Sequence, residues 1–234
     1  IPKDLFTGDN ATWSNAVTLD RITAIGNNSL VGLNITSNML KNKTVLKTVG
    51  NDTFWQKDRE EIANAPTELL SGCTGLTSIG NINLKPVSAD TDLNSMFLNC
   101  SSLTDVSGFF YGENNEPSLA QNISFEGSPL TYTSLTNIKN SLVTNSADNK
   151  KTLKLGTANL AKLTAVDRLE IINKNWILDG YDVTTDLANI QNVNNFVLAK
   201  YGDNNTKVGA NMTSGLYRLI DREGFSQEQC GEYM

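Results

Sequence analysis

The apolar positions of this chain recur in a fixed pattern: two adjacent apolar residues, then leucine six positions later, then a β-branched residue three further on. Leu69-Leu70-Ser71-Gly72-Cys73-Thr74-Gly75-Leu76-Thr77-Ser78-Ile79 aligns with Met96-Phe97-Leu98-Asn99-Cys100-Ser101-Ser102-Leu103-Thr104-Asp105-Val106, with 27 residues between Cys73 and Cys100. An earlier copy, Met39-Leu40-Lys41-Asn42-Lys43-Thr44-Val45-Leu46-Lys47-Thr48-Val49, keeps the apolar pair, the leucine and the valine but carries Lys43 in the cysteine position. It lies 30 residues from the next copy, counted from Leu46 to Leu76. Ile1-Pro2-Lys3-Asp4-Leu5-Phe6 resembles the apolar pair of a further, weaker copy.

Repeats at this period predict supersecondary units that stack, because one unit cannot close a core alone. In each copy the apolar pair is expected to end a short inward-packing helix. The small Cys position should face the core in a tight turn, and L-x-x-[IV] should form a short strand with alternate residues buried. Gly26-Asn27-Asn28, Gly80-Asn81 and Gly112-Glu113-Asn114-Asn115-Glu116-Pro117 supply turns in which positive φ is tolerated. Their unequal lengths account for the uneven period.

Downstream the pattern changes form. Leu135, Ile138 and Leu142 recur at helical spacing, and Thr152-Leu153-Lys154-Leu155 alternates as a strand. Leu160, Leu163, Val166, Leu169 and Ile172 predict one amphipathic helix, followed by a strand at Trp176-Ile177-Leu178. The expected fold class is α/β: an irregular leucine-rich-repeat solenoid of short strands alternating with short helices over residues 1–180. A small C-terminal extension, 181–234, follows as a docking arm or the start of a further domain. Within it a helix is expected from Val183 to Lys200, broken at Gly202-Asp203-Asn204-Asn205, with a second apolar run at Leu216-Tyr217-Arg218-Leu219-Ile220-Asp221-Arg222.

Composition narrows the function. At 234 residues the chain can bury a sizeable core without a disulfide framework or structural metal. Hydrophobic residues make up 39% and charged residues 19%, below ordinary globular values, with Asn, Ser, Thr and Gly filling the difference. The net charge of -6 is dispersed, and no stripe of Lys and Arg forms that could neutralise a phosphate backbone, so nucleic acid is not an expected partner. No apolar run reaches the roughly 18 residues a bilayer requires, so membrane insertion is not expected either. Ile1-Pro2-Lys3-Asp4 is neither a start-codon product nor a signal peptide, and a preceding segment is expected.

The chain contains no histidine. Ser-His-Asp and Cys-His catalysis are thereby excluded, and the commonest transition-metal ligand is missing. Hydrolysis by a pair of carboxylates needs no imidazole, yet nothing in the sequence points to such a pair. The chain therefore reads as a non-enzyme with no cofactor and no metal.

The run Met96-Phe97-Leu98-Asn99-Cys100-Ser101-Ser102-Leu103-Thr104 resembles the M-F-x-x-C-S-S-L-T core of the BspA-like leucine-rich repeats, including the related repeat of mycoplasma surface proteins. The stretch from Lys151-Thr152-Leu153-Lys154-Leu155 through Asn175-Trp176-Ile177-Leu178 resembles the C-terminal coil of such proteins in gut bacteria and their phages. The resemblance covers roughly residues 1–180 and is strongest at 68–109 and 151–178. It implies an extracellular place, on a cell surface or virion, and a role in adhesion or receptor recognition with a protein or glycan of a cell surface as partner. A scaffolding subunit that holds neighbouring subunits through its C-terminal segment is the alternative.

Several residues are candidates for chemistry or contact. Cys73 and Cys100 occupy one repeat position, which stacking would bring to about 5 Å, near disulfide range; a pair of reduced core thiols is the other reading. Asp90-Thr91-Asp92, Asp179-Gly180-Tyr181-Asp182 and Gly202-Asp203-Asn204-Asn205 offer hard oxygen ligands, but none has a calcium-loop spacing, and turn chemistry accounts for them. Triplets such as Asn10-Ala11-Thr12, Asn34-Ile35-Thr36 and Asn211-Met212-Thr213 follow from the composition. Trp13, Phe54, Trp55, Phe109, Phe110 and Tyr111 are the aromatics that break the repeat rule: on loops and insertions aromatics make good contact residues, and packing into the core is the other reading, the expected one for most of them.

Overall fold

A computed structural model describes residues 21–30, 37–54 and 65–184. In chain order its elements are β1 (Ala24–Ile25), β2 (Thr48–Val49), β3 (Ser78–Ile79), β4 (Asp92–Leu93), β5 (Asp105–Val106), β6 (Phe110–Tyr111), β7 (Glu116–Pro117), β8 (Asn122–Ser124), α1 (Tyr132–Ser141), β9 (Lys151–Lys154), α2 (Thr157–Leu160), α3 (Ala165–Asn173) and β10 (Trp176–Leu178). The fold is mixed α/β with two parallel sheets, ordered β1-β2-β3-β5 and β10-β9-β8-β4, and an antiparallel hairpin, β6-β7. The chain divides into two compact units, one of residues Ile1–Lys162 with Glu170–Gly180 and one of Leu163–Leu169 with Tyr181–Met234.

In the first unit the copies at Met39, Leu69 and Met96 lay their strands side by side, with β1 next to the first of them. Ser78 pairs with Thr48 and with Asp105, and Ile79 with Val49 and Val106. Backbone bonds carry the register onward: Thr77 N donates to Lys47 O at 2.8 Å, Thr104 N to Thr77 O at 3.0 Å and Thr131 N to Thr104 O at 2.9 Å. Equivalent side chains consequently line one interior. Leu46, Leu76 and Leu103 are buried, as are Ile25, Val49, Ile79 and Val106, each contributing roughly 1.5–3 kcal/mol by leaving water. Where the second apolar position becomes aromatic the column stacks, with the Phe97 and Phe125 rings 4.9 Å apart and Phe109 tilted against both.

The stacked phenylalanines expose a copy that composition hides. Phe125-Glu126-Gly127-Ser128-Pro129-Leu130-Thr131 repeats Phe97 to Thr104 with one residue deleted and serine in the cysteine position. The residue preceding that position is left-handed in all four copies, with φ of 61° at Asn42, 74° at Gly72, 62° at Asn99 and 84° at Gly127. Asn and Gly are the residues that tolerate this backbone, which is why the position alternates between them.

Two sequence expectations are corrected. The apolar pairs Met39-Leu40, Leu69-Leu70 and Met96-Phe97 sit in successive turns, not at the end of helices. Each turn closes by a bond three residues back, such as Ser71 N to Glu68 O at 3.0 Å and Cys73 N to Leu70 O at 3.1 Å, and the left-handed residue stops the winding before a helix can form. The single helix expected from Leu160 to Ile172 is two, α2 and α3. Thr164 begins α3 with a capping box: its Oγ1 accepts from Asp167 N at 3.1 Å, and Asp167 Oδ2 accepts from Thr164 N at 3.1 Å. The expected helix at 135–142 and strands at 152–155 and 176–178 are present as α1, β9 and β10. The proposed first copy at 1–6, the helix expected from Val183 to Lys200 beyond Val183 and Thr184, and the apolar run at 216–222 lie outside the described residues.

The first sheet ends at β5, where α1 takes the place of another strand. Thr131 caps the helix, and two helix side chains then occupy the open edge. Ser134 Oγ accepts from Val106 N at 2.9 Å while donating to Thr104 O at 2.9 Å, and Asn137 Nδ2 donates to Val106 O at 3.0 Å. A strand edge that would template another chain is closed by side chains from a helix. At the other end of α1, the Lys174 ammonium donates to Lys139 O and Leu142 O, each at 3.0 Å, and Lys139 pairs with Glu170 at 2.5 Å.

Candidate functional site

The chain from β5 to β8 carries an insertion, the β6-β7 hairpin, and an asparagine ladder fixes where it stands. Asn27 Oδ1 accepts from Asn51 N at 2.8 Å, Asn51 Oδ1 from Asn81 N at 2.7 Å and Asn81 Oδ1 from Phe110 N at 2.8 Å. Each asparagine follows a glycine, and Gly50 and Gly80 show the reason. A Cβ on either would come within 2.5 Å of the backbone nitrogen and Oδ1 of the preceding rung, so only glycine lets the rungs approach. Asn81 closes the series by also donating from Nδ2 to Phe110 O at 2.9 Å, which anchors both backbone groups at the base of the hairpin.

The hairpin reverses through Gly112-Glu113-Asn114-Asn115, with positive φ at Gly112 and Asn115. Tyr111 and Pro117 form one wall of a cavity of about 470 Å³. The opposite wall is the 84–89 loop, with Ala120, Gln121 and Val143 completing the lining. That volume lies within the range of sites that hold small ligands or short chain segments.

The loop is tied down by buried polar groups. Asn83 Oδ1 accepts from Lys85 N at 2.9 Å in an Asx turn, and Val87 N donates to Leu84 O at 2.9 Å. Ser118 Oγ accepts from Leu84 N at 3.0 Å. Gln121, 1% exposed, donates from Nε2 to Val87 O at 2.7 Å and accepts at Oε1 from Ala120 N at 2.9 Å. The walls are therefore held by bonds that leaving either partner unmade would penalise by about 1–3 kcal/mol each. On the rim, the exposed Lys85 places its ammonium 3.9 Å from the centre of the Tyr111 ring.

The six aromatic candidates divide between the two readings. Phe54 and Phe109 are 1% and 0% exposed and belong to the core, which removes them from any contact surface. Both are the apolar payload of their segments, and Phe109 completes the Phe97 and Phe125 cluster. Phe110 is half-buried, its ring filling the space that a side chain at Gly108 would need. Tyr111 lines the cavity. Trp13 and Trp55 lie outside the described residues. Lys85, Pro86, Pro117 and Gln121 also line the cavity and are not among the contact residues the sequence singles out. A signal for the prolines existed, since each flanks a turn, but nothing local joins Lys85 to Tyr111.

The two cysteines of the repeat are free and buried. Cys73 Sγ donates to Leu40 O at 3.1 Å and Cys100 Sγ to Leu70 O at 3.2 Å, each reaching the neighbouring copy. Burial pushes the Cys73 thiol up to about 11 and that of Cys100 up to about 12, so neither is a nucleophile near neutrality. Two of the acidic turns do turn chemistry, Asp92 Oδ1 accepting from Asn94 N and Asp182 Oδ1 from Thr184 N, each at 2.9 Å, while Gly202-Asp203-Asn204-Asn205 lies outside the described residues. Among the described residues no three Asp, Glu or Cys side chains gather where they could hold a metal ion, and no helix is long and apolar enough to cross a membrane. Comparisons with protein-family models, with curated proteins and with solved structures find no match to this chain.

Proposed function

We propose that this chain is a non-catalytic recognition or adhesion module, exposed on a bacterial cell surface or phage virion, that binds a protein or glycan of a host cell. In this reading the stacked copies are an irregular solenoid of BspA-like leucine-rich repeats, and the solenoid serves as a stiff frame for a contact surface. One observation carries the proposal. A formed cavity with an accessible tyrosine and a lysine at its rim is set on an insertion that backbone and buried side-chain bonds hold in place. Preorganised aromatic anchors of this kind bind at low entropic cost. The lack of histidine and the suppressed reactivity of both buried thiols support a binding role over catalysis.

The test is to probe a glycan array and an array of extracellular proteins with the labelled full chain and with its Tyr111→Ala variant. Saturable binding on either array that the variant weakens is expected. Absence of saturable binding on both would sink the proposal.

A further inference from the structure

We propose that the cavity between the 84–89 loop and the β6-β7 hairpin takes an extended segment of a partner protein in which an acidic side chain stands next to proline or another apolar residue. The inference rests on the recognition reading and chooses between its two classes of partner.

The choice follows from what the walls still offer. Pro86, Val87, Pro117, Ala120 and Val143 present apolar surface, and Tyr111 presents a ring. The buried amide among them is already committed, and each serine hydroxyl accepts one bond, so the free polar groups are the Tyr111 hydroxyl, the Lys85 ammonium and the serine O–H donors. Gln121 is bonded through both ends of its amide, to Val87, Ser88 and Ala120, and Ser118 Oγ holds Leu84 N. Ser88 Oγ accepts from Asp90 N at 3.3 Å. A sugar brings hydroxyls on every edge, and those that do not reach the Lys85 ammonium, the Tyr111 hydroxyl or a serine O–H would lose water against Pro86, Val87, Pro117, Ala120 and Val143 without gaining a partner. An extended peptide brings what the walls can take. Proline rings and aliphatic side chains fill slots between prolines and an aromatic ring, and a polyproline II backbone arrives already ordered.

Lys85 supplies the charge preference. Its ammonium lies over Tyr111, exposed, and among the described residues no carboxylate pairs with it. An acidic side chain beside the apolar anchor would meet that cation at the rim, and a basic one would be repelled. Length follows from volume: about 470 Å³ has room for a few side chains and not for a folded domain.

The experiment is selection of a random dodecapeptide phage library on the immobilised full chain, with surface plasmon resonance of the enriched peptides. Peptides sharing an acidic residue next to proline or an apolar residue are expected. Tyr111→Ala should weaken them about thirtyfold and Lys85→Glu about fivefold or more, with the circular dichroism spectrum of both variants unchanged. Because Tyr111→Ala also removes part of the hairpin, the decisive arm is a charge swap, in which replacing the peptide's acidic residue by lysine restores binding to Lys85→Glu. Enriched peptides that bind Lys85→Glu as they bind the wild type would overturn the inference, and so would no enrichment. A glycan that binds the wild type and is lost with Tyr111→Ala would overturn it while leaving the recognition reading standing; silence with peptides, glycans and extracellular proteins would remove both.

Discussion

Asn81 grips Phe110 by both backbone groups, its Oδ1 accepting from Phe110 N at 2.8 Å and its Nδ2 donating to Phe110 O at 2.9 Å. One side-chain amide thus imitates the pairing a neighbouring strand would provide. It also joins the repeat ladder to the hairpin that carries Tyr111. Asn81→Ala removes both bonds and leaves two backbone groups to find water, a loss of about 1–2 kcal/mol. Urea unfolding should register that loss. Amide exchange at Phe110 and Tyr111 should accelerate more than at Ile79, where the ladder is intact. Equal acceleration at all three would mean the hairpin is not hung from Asn81.

Gly80 and Gly112 both lie next to the hairpin's supports, and substitution should separate their roles. A methyl at Gly80 collides with Asn51 N and Oδ1 at 2.5 Å, so Gly80→Ala must push the ladder apart and is expected to cost about 1–3 kcal/mol. Gly112 meets nothing within 4 Å and needs only its φ of 72°. Asn115 in the same turn already adopts a φ of 50°. Gly112→Asn should therefore shift stability by less than about 0.5 kcal/mol. Urea midpoints for the two variants test the ordering, and a Gly112→Asn loss as large as that of Gly80→Ala would contradict it.

These positions also show what the sequence disclosed. The motif from Leu69 to Ile79 announced its own burial, because a stacked repeat puts one chemical type at one place in every copy. Strand pairing of Ser78 with Thr48 and Asp105 follows from that alignment. The copy at Phe125 is obscured in the sequence because one deletion and a serine remove its two clearest letters. The break between α2 and α3 was signalled by Thr164 and Asp167 three residues apart, but the apolar periodicity that runs through both helices outweighed the cap. The cavity was half legible. Tyr111 stood out as an aromatic beside a Gly-Asn-Asn turn, whereas Phe54 and Phe109 had the same local signal and went to the core. Lys85 joins Tyr111 only once the hairpin is folded back over the 84–89 loop, a contact without local sequence signature.

The buried thiols predict a specific pH dependence. Folding raises Cys73 to about 11 and Cys100 to about 12, chiefly by taking them out of water, from 9.0 when exposed. The neutral thiol is thus the form the folded chain prefers. The stability this contributes is complete below pH 9 and is lost as pH climbs through the unfolded value toward 11–12. Serine stands in the equivalent position at 128, where its Oγ donates to Cys100 O at 3.2 Å, so serine fits the column. In a Cys230→Ser background, the unfolding midpoint should fall more between pH 8 and pH 10.5 than it does with Cys73→Ser and Cys100→Ser added. Lys and Tyr titration is common to both chains and cancels. Parallel curves would show that the thiols are not the cause. The Cys230→Ser chain, with both buried thiols in place, should react with Ellman's reagent at pH 8 only as fast as it unfolds.

Ser134 is the residue on which the end of the first sheet turns. Its hydroxyl accepts from Val106 N, donates to Thr104 O and lies 2.8 Å from the capping Thr131 Oγ1, all at 2% exposure. Ser134→Ala leaves the Val106 N–H buried without an acceptor and is expected to cost about 1–3 kcal/mol, well above the cost of losing an exposed hydroxyl. Asn137→Ala alone, which frees the partly buried Val106 O, should cost less, since a carbonyl with two lone pairs tolerates a missing partner better than an N–H does. With both gone, β5 presents an open edge in the register that Ser78 already imposes, and self-association through that edge should appear. Sedimentation velocity of the double variant, against either single variant at the same concentration, checks this. A double variant that is destabilised yet strictly monomeric would show that α1 blocks the edge by bulk and not by its two hydrogen-bonding side chains.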